Sequence, residues 1–350
     1  MFAFTMEFPL SVNLLVFVLA AFGVWVAGTH LAVSAEEISD RRQLGKDIMG
    51  LVFLAAATEL PEFVTTMFAA ISGHASLLLN NMFGGIALQT AILAIADLAV
   101  AHVVITRFPH KSTPILEGVL LVLILAFLQA IILVGDYAPA GWVGLGSILL
   151  AAFYVWVIQL LRSQDRQSKW VPVEIPELPA GVKPIGLLAT VETETERRLF
   201  ARFALASLAI LVFGVLLVFS AERLAEQTGL GSSFIGATLL AGATSLPELS
   251  TTVMAVRLQS YTMAISNIFG SNLIMVLLIL PADIVYTEGP LLQQADASAS
   301  FALICGVGVT AIYVVGLITR GRRRLLGMGL DSCAVLAVYL LSLCVLYTLR

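Results

Sequence analysis

Long apolar runs separated by short polar breaks dominate this chain. A helix that crosses a bilayer needs about 20 mostly apolar residues, and about ten runs reach that length. They lie near 10–35, 48–72, 77–101, 115–135 and 142–161, then near 199–222, 234–257, 262–286, 300–319 and 329–349. Between the two sets of five lies a polar stretch, 162–198, with Pro172, Pro176, Pro179 and Pro184 and a Glu/Thr run from Glu192 to Glu196. Such punctuation predicts a mostly irregular loop. The pattern predicts an all-α membrane protein: one five-helix unit over 1–161, a loop over 162–198, and a second five-helix unit over 199–350.

Composition agrees. The chain is 59% hydrophobic and 12% charged, against about 25% charged in soluble domains. The first run is too long for a signal-peptide core. It has no Lys or Arg before it and no clear cleavage site, so it is expected to remain as a spanning helix. Cys305, Cys333 and Cys344 lie in the last two apolar runs without metal-type spacing and read as packing residues. There is no phosphate loop, no His-Glu-x-x-His and no Gly-x-Ser-x-Gly, so nothing supports an enzyme.

The net charge of −4 matters less than where the basic residues fall. Arg41, Arg42 and Lys46 are in the first loop, Arg107 and Lys111 in the third, and Arg162, Arg166, Lys169, Lys183, Arg197 and Arg198 in the central loop. Arg257 is in the seventh, and Arg320, Arg322, Arg323 and Arg324 are in the ninth. The even loops carry Asp136, Glu226, Glu288 and Asp296 instead. Positive charge marks the cytoplasmic side, so the odd loops are expected inside and both termini outside a plasma or inner membrane. In sealed right-side-out cells, a cysteine placed at Ser168 should resist an impermeant thiol reagent and one placed at Gln293 should react. Labelling at 168 from outside overturns this topology.

The second unit copies the first. Ala55-Ala56-Ala57-Thr58-Glu59-Leu60-Pro61-Glu62 reappears, 186 residues on, as Ala241-Gly242-Ala243-Thr244-Ser245-Leu246-Pro247-Glu248. The same offset links Gly28 to Gly214, Gly50 to Gly236, Asn81 to Asn267, Phe83-Gly84 to Phe269-Gly270, and Asp97 to Asp283. Roughly a third of the positions over this span agree, which marks a duplication. A unit with five crossings, repeated directly, enters from the opposite side the second time. The two repeats are therefore inverted, the arrangement of many secondary transporters.

The duplicated motif is unusual for a membrane span. Proline lacks an N–H and frees the carbonyl four residues back, here those of Ala57 and Ala243. Non-helical backbone at membrane depth is tolerated only where it is buried in protein or lines a wet cavity. A carboxylate there is costly and marks function by default. Free carbonyls, Thr hydroxyls and Glu form an all-oxygen set suited to a hard cation such as Ca2+. Two carboxylates balance one Ca2+, and protons can neutralise them when the site is empty.

The run Gly242-Ala243-Thr244-Ser245-Leu246-Pro247-Glu248-Leu249, followed by Asn267-Ile268-Phe269-Gly270-Ser271-Asn272, resembles the alpha-repeats of the calcium/cation antiporter superfamily, in which sodium/calcium exchangers are the best-known members. The resemblance covers both repeats and the ten-helix layout. It implies a 5+5 inverted-repeat fold and alternating-access exchange of Ca2+ against H+ or Na+, with no cofactor. The partners it implies are inorganic cations and the lipid bilayer, not nucleic acid.

Carried over by position, the resemblance makes Glu62 and Glu248 the central acidic ligands. Thr58 and Thr244 match the motif threonine, and Ser245 and Ser271 match its serines. This chain departs from the pattern at Glu59, Gly85 and Ile86, and has Gln89 and Met275 where Asn or Asp is usual. Gln89 can still offer a carbonyl oxygen, whereas a thioether is a poor ligand for Ca2+ or Na+. Glu59 adds a third carboxylate, in an Ala-Thr-Glu-Leu run similar to one in proton-coupled cation exchangers. Fewer neutral oxygens and one more carboxylate tilt the expectation towards H+ over Na+. The departures also leave open a degenerate member that senses or assists rather than transports.

Other polar residues read as structural. Asp97 and Asp283, late in matched helices, suit a capping or interfacial role. Glu36 and Glu222 suit helix-end anchoring. Glu117 is expected at the membrane interface, and Gln129 to bond a neighbouring helix.

Overall fold

A computed structural model describes residues 9–99, 104–139, 141–165, 194–228 and 241–348. Nearly every described residue is helical, as the apolar runs require. In the first repeat α1 is Leu10–Arg42, α2 is Lys46–Thr58, α3 is Leu60–Ile71, α4 is Ala75–Ala99, α5 is Thr113–Val134 and α6 is Leu145–Asp165. In the second, α7 is Glu196–Gln227, α8 is Leu246–Arg257, α9 is Tyr261–Val285, α10 is Ala297–Thr319 and α11 is Leu330–Thr348. Among the described residues eight helices are long and apolar enough to cross a membrane, and the bent pair α2 and α3 meets the same length and hydropathy test together. Of the tenth, expected near 234–257, residues 229–240 lie outside the described residues; 241–244 are helical and lead into α8. The central loop is shorter than expected, because α6 continues to Asp165 and α7 starts at Glu196. Residues 166–193 within it lie outside the described residues.

Many packing contacts among the described helices have a mirror. The first helix of each repeat packs on the other, α1 on α7. α1 also packs on α8, as α7 does on α3. α4 meets α8, α10 and α11, while α9 meets α3, α5 and α6. These pairings make the fold an inverted repeat, with α4 and α9 crossing at its centre and most enclosed by protein. Leu15, Phe22, Leu133 and Leu341 are exposed on the periphery. With no water in the bilayer core, such side chains face lipid at no cost.

The matched aspartates show how the repeats interlock. Asp97 accepts the backbone N–H of Ile105 (3.1 Å) and of Gly329 (2.7 Å), just ahead of α11. Asp283 accepts those of Leu291 (2.7 Å) and of Gly144 (2.8 Å), just ahead of α6. Each holds a short 3-10 turn in its own repeat, Ile105–Arg107 or Leu291–Gln294, and caps the last helix of the other. The capping role expected of this pair is thus its role, made across repeats.

The basic loops gather at one end of the molecule. Arg42 pairs with Glu196 (2.9 Å), Lys111 lies 3.9 Å from Asp47, and Arg320 donates to the Pro109 carbonyl (3.0 Å). At the other end Gln293 donates to the Asp136 carbonyl (2.5 Å) and Ser76 to Asp296 (2.8 Å). Glu36 is paired with Lys46 at the basic end, in keeping with an anchor. Glu117 differs from expectation. It is fully buried and accepts the Ser266 hydroxyl at 2.7 Å, because its turn of α5 faces α9 rather than the membrane surface.

Candidate functional site

The site grows out of two helix breaks. In the first repeat the chain bends by 49° between α2 and α3. Pro61 opens α3 and has no N–H to give. Around the bend the ladder continues from Glu59 N–H to the Ala55 carbonyl (3.0 Å) and from Phe63 N–H to the Glu59 carbonyl (2.9 Å). The second repeat repeats this: Pro247 opens α8, Ser245 N–H reaches the Ala241 carbonyl (3.1 Å), and Leu249 N–H reaches the Ser245 carbonyl (3.1 Å). The two break residues share one backbone form, Glu59 at φ −78°, ψ −1° and Ser245 at φ −87°, ψ 5°. Ahead of the first break Met49–Leu54 is π-helical, a feature frequent at functional sites.

All eight sequence-derived candidates are buried: Thr58, Glu59, Glu62 and Gln89 from the first repeat, and Thr244, Ser245, Glu248 and Ser271 from the second. Six of them gather. The Thr58 and Ser271 hydroxyls lie 3.4 Å apart, joining the break of one repeat to the central helix of the other. Gln89 donates its side-chain N–H to Glu59 Oε1 at 2.8 Å. Glu62 lies within electrostatic reach of both Glu248 and Glu59, and Glu248 within reach of Glu59. Thr244 instead donates to its own Ala241 carbonyl at 3.1 Å, as Thr58 does to Ala55. No hydrogen bond joins Thr244 or Ser245 to the other six among the described residues.

Both carboxylate oxygens of Glu62 and both of Glu248 are buried without a hydrogen-bond partner among the described residues, as are Glu59 Oε2 and Gln89 Oε1. Buried charges persist only when paired or coordinated. These oxygens call for a cation or protons. Among the described residues no three His, Cys, Asp or Glu side chains converge on a single metal-sized point.

Three further polar residues lie in the same centre and were not among the site residues expected from the sequence. Asn272 donates to the Thr90 hydroxyl at 3.2 Å, and Thr90 lies 3.4 Å from the Thr310 hydroxyl. The Asn272 carbonyl oxygen has no partner among the described residues. Asn272 was visible in the Gly-Ser-Asn run, whereas Thr310 sits alone in an apolar helix and gave no signal.

Comparison with known proteins agrees with this architecture. The sodium/calcium exchanger protein family matches residues 12–160 and 198–348, almost all of both repeats. The chain belongs to the sodium/calcium exchanger family. Inner membrane protein YrbG of Escherichia coli (strain K12) is 24% identical over 291 residues, covering 77% of this chain and 84% of the relative. Putative antiporter CaxA of Alkalimonas amylolytica is 22% identical over 323 residues, 91% of this chain and 92% of the relative. The sodium-calcium exchanger NCX_Mj, soaked with 10 mM Na+ and zero Ca2+, superposes with a TM-score of 0.70 at 17% identity, over 96% of this chain and 99% of that one. This exchanger-family member is thus a divergent one. It is an integral membrane protein of secondary-active cation transport, not an enzyme.

Proposed function

We propose that this protein exchanges Ca2+ against a monovalent cation by alternating access, with Glu62 and Glu248 carrying the divalent ion. The observation that supports this most is the set of four central carboxylate oxygens, all buried and all without a hydrogen-bond partner among the described residues. Two negative charges from inverted repeats balance one divalent cation, and the Thr58 and Ser271 hydroxyls and the carbonyls beside Pro61 and Pro247 supply neutral oxygens. Thr244, Ser245, Gln89 and Glu59 complete the proposed set. In this reading the protein sits in the plasma or inner membrane with both termini outside.

H+ is the favoured counter-ion. Carboxylates packed together out of water cannot all stay charged with no cation bound. Emptying the site then takes up protons, and refilling it releases them. The test is Ca2+ efflux from proteoliposomes, driven either by an inward Na+ gradient at matched pH or by an acid-outside gradient without Na+. Efflux in the second case supports H+ coupling. Efflux driven by Na+ alone, indifferent to pH, overturns it. A second reading, a non-transporting sensor, draws on the loss of ligand oxygens at Gly85 and Met275. Saturable 45Ca2+ binding without flux under any imposed gradient would favour it.

A further inference from the structure

The two repeats match position by position, yet the two flanks of their shared centre differ in chemistry. On one flank Glu59 accepts a hydrogen bond from Gln89 at 2.8 Å, and the Ser271 hydroxyl of the other repeat lies beside it. Glu59 Oε2 and Gln89 Oε1 are left over, buried and without a partner among the described residues. The offset of 186 turns these three positions into Ser245, Met275 and Gly85 on the opposite flank. There the polar pair is gone, and a thioether stands where Gln89 would have its mirror image.

Met275 and Gly85 are not independent losses. A Cβ built on Gly85 would lie 2.8 Å from Met275 Cε and 3.6 Å from its Sδ. Side chains do not approach that closely, so the methyl of Met275 occupies the space that a side chain at 85 would need. Both residues are buried. One repeat's glycine thus receives the other repeat's methionine, and the flank is filled with a soft, apolar group. Hard cations select oxygen ligands and leave thioethers to soft metals.

We propose that the ion site is one-sided. The Glu59–Gln89–Ser271 flank accepts one hard alkali cation beside the central carboxylates. Met275, seated on Gly85, seals the mirror flank against any cation. Met275 is then a specificity-determining residue that limits how many monovalent ions the carrier holds. This inference rests on the reading that Glu62 and Glu248 form the central cation site, and it adds a count of flanking sites to that reading.

The test uses the full-length protein. Met275→Gln places an amide opposite Gly85 and mirrors Gln89. In detergent, the melting temperature is followed against Na+, Li+ and K+ at fixed pH, since a ligand that binds only the folded state raises it. Met275→Gln should gain saturable stabilisation by an alkali cation, half-maximal at a concentration about tenfold below any seen in the wild type. In proteoliposomes its coupling ratio should rise by one monovalent charge per Ca2+. The pair Gly85→Ser with Met275→Ala restores an oxygen and removes the plug by another route, and it decides the matter if Met275→Gln does not fold. Gly85→Ser alone displaces only the flexible end of Met275, so it should change the melting temperature little. A folded variant that responds to alkali cations as the wild type does overturns the one-sided site. Absence of Ca2+ flux in the wild type would instead count against the exchange reading, and the melting titration still reports on the flank.

Discussion

Glu62→Gln and Glu248→Gln are each expected to abolish Ca2+ transport while leaving the protein folded. Each change removes one of two buried charges that the ion needs for neutrality, and taking away one partner of a buried ionic contact costs about 3–5 kcal/mol. That corresponds to a loss of roughly a hundred- to a few thousandfold in flux at limiting Ca2+. Both carboxylates are buried without a hydrogen-bond partner among the described residues. A neutral amide is easier to bury there than an unpaired charge, so the melting temperature without Ca2+ should hold or rise. Because both residues serve one ion, the double variant should be no worse than either single one. Flux in proteoliposomes and melting in detergent are the two measurements. Wild-type flux in either single variant removes the shared site.

The frame of this protein was readable because the bilayer leaves few options. Runs long enough to span, basic residues in alternate loops and an offset that never slips require an inverted repeat. Pro61 and Pro247 announced the breaks for a backbone reason: neither can donate the bond that would carry the helix through. Asp97 and Asp283 were readable as caps from their places late in matched helices. That each caps a helix of the other repeat was not, since the partner amides of Gly329 and Gly144 are remote in sequence. Glu117 was misread because its position near the start of a span suits the interface, and only the packing of α5 on α9 brings it to Ser266. The same limit applied at the centre. The motif gave the residues of each repeat, but the Thr58–Ser271 approach and the seating of Met275 on Gly85 are cross-repeat contacts without local signature. The π-helical turn was equally silent, as an apolar run looks the same in either helical form.

Gly270→Val is expected to prevent folding, and Gly270→Ala to destabilise the protein. A Cβ on Gly270 would stand 2.3 Å from the Leu51 carbonyl oxygen and 2.7 Å from Leu51 Cα. Both are backbone atoms of the π-helical turn, so no side chain can rotate away to make room. Gly50, on that turn, would bring a Cβ within 2.5 Å of the Met263 carbonyl. The two glycines let α2 and α9 cross backbone to backbone, as small residues do where membrane helices pack closely. Alanine normally gains up to about 1 kcal/mol over glycine in a helix, but overpacking costs about 1–3 kcal/mol or more, so the net change should be a loss. Gly308→Ala is the control. It also lies within a helix, but its Cβ would meet nothing within 4 Å, so it should be neutral or stabilising. Melting temperatures of the purified variants separate the two cases. Equal stability of Gly270→Ala and Gly308→Ala would show that the crossing has slack. The consequence reaches the ion as well, because Ser271 is the next residue and its hydroxyl meets Thr58 at 3.4 Å. A displaced α9 opens that contact, so any Gly270→Ala protein that folds should transport more slowly than its loss of stability alone would require.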